Sequence, residues 1–169
     1  MGYWGYYVVA RGGRPLTEYE ALKSVREELV LLEERAAGWQ VWECEAAGEA
    51  APGIGSMRQL AQESGAPALF GYVMDSECAV VEGAAADSGT WTACLAPVAM
   101  ATLLGVGERD LEDYFLPPDN ATARAVTWAA EAGFSACEPL LHEAFTIGAD
   151  PSAETLFFRL LDLLGVAER

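Results

Sequence analysis

Residues 3–10 read YWGYYVVA, with no charge among them. Side chains of a strand alternate between its two faces. Tyr3, Gly5, Tyr7 and Val9 would form one row, and Trp4, Tyr6, Val8 and Ala10 the other. Both rows are apolar, the pattern of a strand covered on both sides rather than half in water. A chain that opens this way must lay further elements over both faces of a sheet. The four aromatics Tyr3, Trp4, Tyr6 and Tyr7 are expected to be buried, with at least two of their hydroxyls hydrogen-bonded.

Further along, residues 17–38 carry Leu22, Val25, Leu29, Leu32 and Ala36 at three- and four-residue steps, up to Gly38. With Leu16 as staple and Thr17 and Glu20 as a capping box, this spacing predicts one long helix. Strands are expected at 39–46, 67–74 and 78–84. Asp75, Ser76 and Glu77 form the tip of a hairpin, and 56–65 a short helix. The glycine- and proline-bearing stretch 48–55 breaks the chain between them. From about Thr90 the pattern turns helical. Segments start at Pro97, near Asp119 or Asn120, at Cys137 and at Asp150-Pro151, with stops at Gly133 and Gly165. The expected fold is therefore α+β. It has a small mixed sheet of about four strands, joined by crossovers and flanked by helices in residues 1–88, packed against a helical half, 89–169. The 169 residues fit a single domain in which both halves share one core.

Charge then narrows the partners. There are 10 basic and 26 acidic residues, a net −16. Residues 1–38 hold 5 basic and 6 acidic groups; residues 39–169 hold 5 and 20, a net −15. Such a field repels phosphate backbones and anionic lipid, so neither nucleic acid nor a membrane surface is expected as a partner. It attracts basic proteins. The longest apolar run, 95–106, is short of the ~20 residues of a membrane span and contains Pro97. The start lacks the basic and apolar regions of a secretory signal, so a cytoplasmic location is expected. Cys44, Cys78, Cys94 and Cys137 include no C-x-x-C pair and read as buried free thiols rather than zinc ligands.

No catalytic constellation stands out, and no cofactor is implied. His142 is the only histidine, four residues after Glu138, a spacing that gives a helical ion pair. Glu43 and Glu45 share one strand face, with Trp42 and Cys44 on the other; a site of paired carboxylates there would need Asp75 or Glu77 as well. Glu108, Asp110, Glu112 and Asp113 lack the glycine and twelfth-position glutamate of a calcium loop. The stretch 48–56 has Ile54 where a phosphate loop needs lysine.

Two readings of function follow. In the first, the chain is a non-catalytic interaction protein, an inhibitor or immunity-type neutraliser. It docks a basic partner through Glu43, Glu45, Glu108, Asp110, Glu112 and Asp113. In the second, Arg11, Gly12, Gly13 and Arg14 bind a small anion, aided by the free N–H groups of the helix that follows.

Overall fold

The structure is a computed structural model and describes residues 2–45 and 56–166. Its centre is one six-stranded sheet: β1 (Gly5–Arg11), β2 (Val30–Glu34), β3 (Trp39–Glu45), β4 (Ala68–Met74), β5 (Cys78–Ala85) and β6 (Gly89–Leu95). The spatial order is β2-β3-β1-β4-β5-β6, and every neighbouring pair is antiparallel. Among the described residues five α-helices accompany it: α1 (Met57–Ser64), α2 (Pro97–Leu104), α3 (Pro118–Glu131), α4 (Glu138–Thr146) and α5 (Ala153–Leu164). The class is α+β, as expected.

β1 sits inside the sheet between β3 and β4, and both of its faces are covered. Tyr7 and Val9 pack into a core with α3, α4 and α5. Tyr6, Val8 and Ala10 pack on the opposite side against α1 and the 3-10 turns Leu16–Glu18 and Glu20–Val25. Tyr3 and Trp4 precede the strand and are only partly buried. The Tyr3 hydroxyl donates to Glu43 at 2.8 Å, but the buried Tyr6 hydroxyl has no hydrogen-bond partner. Of the four rings expected to be largely buried, Tyr6 and Tyr7 lie in the core, and Tyr3 and Trp4 pack at its margin.

The sheet is larger than expected, and for two reasons. The long helix over 17–38 does not form. Its place is taken by 3-10 turns and by β2, an edge strand paired with β3. Leu22, Val25 and Leu29 are buried as a helix would bury them, but Leu32 and Ala36 lie exposed while Arg35 is buried. Pairing with β3 outweighs the helical pattern, as tertiary context routinely does. Neither Thr17 nor Glu20 caps anything through its side chain. The second reason is β6, in the region expected to be purely helical. It returns antiparallel beside β5, so β4, β5 and β6 form a run of hairpins and the sheet is antiparallel rather than mixed, while the expected crossing connections persist between β1 and β2 and, through α1, between β3 and β4.

Other boundaries follow the sequence. Asp75 and Ser76 both take positive φ at the β4–β5 tip, the backbone a tight hairpin requires. Ser56 caps α1 and Ser152 caps α5, each accepting an N–H bond in its first turn, and Gly65 and Gly165 end those helices in the left-handed region. Gly71 matters for a different reason. A β-carbon there would stand 2.4 Å from the Phe157 ring, which lies against the strand and stacks on Tyr7 with 5.4 Å between centroids. All four cysteines are free thiols; Cys44, Cys78 and Cys94 are buried, but Cys137 is exposed. Among the described residues no helix is long and apolar enough to cross a membrane.

Candidate partner-docking surface

At the end of β6 the chain turns through Ala96, which has positive φ, into α2, with Pro97 in the first helical turn. Gly105 stops α2, and the acidic 3-10 segment Glu108–Asp113 follows. Two anchors hold that segment down. Leu111 is buried in a cluster with Cys78, Cys94 and Met100, and the Leu116 N–H donates to the Thr92 carbonyl at 3.0 Å. With its one apolar residue turned inward, the segment presents Glu108, Asp110, Glu112 and Asp113 to solvent. The Asp110 carboxylate accepts the Gly107 N–H. No ion pair among the described residues neutralises the other three.

Between this segment, α2 and the facing ends of α3 and α4 lies a cavity of about 290 Å³. Its walls include Cys94, Leu111, Phe115, Ala121 and Phe145, and its charged lining is Glu108 and Glu112 alone. Burial pushes the Cys94 thiol up to about 11, so it stays neutral and acts as apolar wall. In the cavity wall Val98 is 61% exposed; Tyr114, next to the acidic segment in the chain, is 60% exposed, and Leu103 and Leu104 reach solvent elsewhere on α2.

The other candidate residues fall elsewhere. Glu43 lies partly buried on β3 with the Tyr3 hydroxyl, and Glu45 is exposed at the end of that strand. β3 and β6 are four strands apart in the sheet order, about 19 Å, so this pair is not continuous with Glu108–Asp113. Nor does Asp75 join them: its carboxylate accepts the Gly2 N–H. His142 pairs with Asp119 at 2.8 Å, linking α4 to α3, instead of with Glu138.

The loop Arg11-Gly12-Gly13-Arg14 does not lead into an α-helix. Leu16–Glu18 is a short 3-10 turn, and the Leu16 N–H donates to the Gln40 side chain at 3.1 Å. The Gln40 amide in turn donates to the Arg14 carbonyl at 2.9 Å, so one buried side chain shapes the loop. Arg11 lies over the Trp39 ring and Arg14 over Tyr19. The bed of free helix N–H groups expected for an anion is absent there. Arg14 does line a second cavity, of about 280 Å³, together with Arg35, Trp39, Gln40 and Trp42.

Sequence reasoning named the acidic segment but missed the exposed apolar neighbours Val98, Leu103, Leu104 and Tyr114. Val98, Leu103 and Leu104 sit in an alanine- and leucine-rich stretch that reads as a buried helix, and only the packing of α2 shows which side faces water. Among the described residues no group of three His, Cys, Asp or Glu side chains is arranged to hold a metal ion. Comparison with protein-family models, curated proteins and solved structures finds no match to this chain.

Proposed function

We propose that the chain is a non-catalytic interaction protein that docks a basic protein through the face formed by α2 and Glu108–Asp113, in the manner of an inhibitor or immunity-type neutraliser. The observation that carries this reading is the coincidence, around one apolar cavity, of the carboxylates Glu108 and Glu112, which have no ion pair, with the exposed side chain of Val98. Apolar anchors supply affinity at the centre of an interface, while surrounding charges set its partner's sign and speed the encounter. Glu43 and Glu45 belong to this reading only as part of the long-range field, because they lie across the sheet.

The test is to isolate the protein that co-purifies with the chain and map the complex by hydrogen exchange. A partner of basic isoelectric point that protects residues 97–117 is expected. An acidic partner, or protection confined to another surface, contradicts the reading. The anion-binding alternative keeps a cavity and an arginine, Arg14, but has lost the helix N-terminus that motivated it.

A further inference from the structure

We infer that the cavity beside Glu108–Asp113 receives one arginine side chain of the basic partner; this rests on the reading above and names the anchor of that interface. The cavity combines two features a solvated acidic surface does not have. Its walls are apolar, with Leu111, Phe115 and Phe145 beside the neutral Cys94 thiol. Its charged lining is two carboxylates, with no cation among the lining residues. A wholly apolar guest would leave Glu108 and Glu112 partly stripped of water and unpaired, which is costly. A small cation without an apolar stem would leave the walls wet. A long basic side chain satisfies both, placing its methylenes along the walls and its charge among the carboxylates.

The aromatic wall decides between the two basic residues. A guanidinium is planar, more weakly hydrated than an ammonium, stacks on aromatic faces and forks onto carboxylates, so it loses less on entering such a site. The volume of about 290 Å³ lies at the lower end of the ~300 Å³ and upward typical of small-ligand pockets, enough for one side chain and not for a folded element. Arginine is also among the residues that dominate binding energy when they fill a pocket at the middle of an interface.

The experiment titrates the full chain with hexylguanidinium, hexylammonium, hexanol and hexyl sulfate, and follows the amide NMR signals of Val98, Leu111 and Phe115 and the methyl signals of Val98 and Leu111. The guanidinium is expected to bind tightest, the ammonium and alcohol more weakly, and the sulfate not at all. The double variant Glu108→Gln/Glu112→Gln should weaken the guanidinium about tenfold and leave hexanol unchanged. Val98→Trp, at an exposed lining position, should block all three. Hexanol binding as tightly as hexylguanidinium, or no guanidinium binding by a folded protein, overturns the inference. A parallel titration with a lysine–leucine peptide separates it from the broader reading. Peptide binding that persists without guanidinium binding sinks the arginine pocket alone. Guanidinium binding by a chain that ignores the basic peptide sinks the docking face instead.

Discussion

Arg35 is 2% exposed, and its guanidinium is shared among Asp162 at 2.7 Å, Glu33 at 2.8 Å and the Val166 carbonyl at 2.6 Å. Burial works against its charge, but the hydrogen bonds it donates to Asp162 and Glu33 outweigh that and raise its pKa. The side chain ties the β2–β3 connection to the end of α5. Arg35→Met should cost about 2–4 kcal/mol, because the buried Val166 carbonyl loses its donor and two carboxylates lose their partner. Urea denaturation measures this; a change within about 0.5 kcal/mol would be the value of an ordinary surface site and would refute the assignment. Glu82 presents the opposite case. It is partly buried on β5 across from Phe70 and Thr92, and burial raises its pKa. The folded state therefore holds the Glu82 proton more tightly than the unfolded chain does. Stability is lost as the pH rises through the folded pKa and regained as it falls toward the unfolded one. Glu82→Gln should raise the melting temperature at pH 7, and the gain should vanish near the ~4.3 of an ordinary glutamate. A gain equal at both pH values would show that charge is not its cause.

At the scale of the element, the sheet's centre was legible and its edges were not. β1 announces itself because both alternating rows are apolar, a signal carried within the strand itself. β2 cannot announce itself, because it borrows its hydrogen bonds from β3 and leaves Val30 64% exposed, with Leu31 and Leu32 also in water. Nothing in residues 30–34 outweighs the helical spacing around them. Arg35 is obscured in the same way: its partners Asp162 and Val166 are 127 and 131 residues distant in the chain. β6 did leave a trace. Thr90-Trp91-Thr92 are good strand formers directly after Gly89, whose φ of 81° is a turn conformation. The helices were recovered wherever they begin at a serine cap or end at a glycine. Packing between elements was out of reach, as Gly71 shows. Gly71→Ala is expected to cost about 1–3 kcal/mol by driving Phe157 from β4, read as a lowered melting temperature with loss of near-ultraviolet circular dichroism. An unchanged melt would mean that α5 does not seat on the sheet as described.

For the whole molecule, the distribution of charge is the feature that reaches furthest. In residues 39–169 the 20 acidic groups outnumber the 5 basic ones four to one, so most of these carboxylates have no basic group of that stretch to pair with. Exposed charges contribute little to stability, so the acidic segment can be neutralised without disturbing the fold. Its effect should appear in encounter rates, where a field of one sign steers a partner of the other. The sequence located that segment; the apolar residues beside it came only from the packed structure, because burial of α2 depends on β6 and on Leu111. The most direct measurement is the association rate of the chain with an arginine- and leucine-bearing basic peptide, taken by stopped flow at about 0.05 M and 0.5 M salt, where screening shortens the range of the field from above ~10 Å to well below it. The account predicts a rate that falls roughly tenfold or more with salt. It also predicts that Glu108→Gln/Glu112→Gln/Asp113→Asn, with unchanged melting, is already slow at low salt. Equal rates at both salt concentrations, or a neutralised variant as fast as the original, would contradict it.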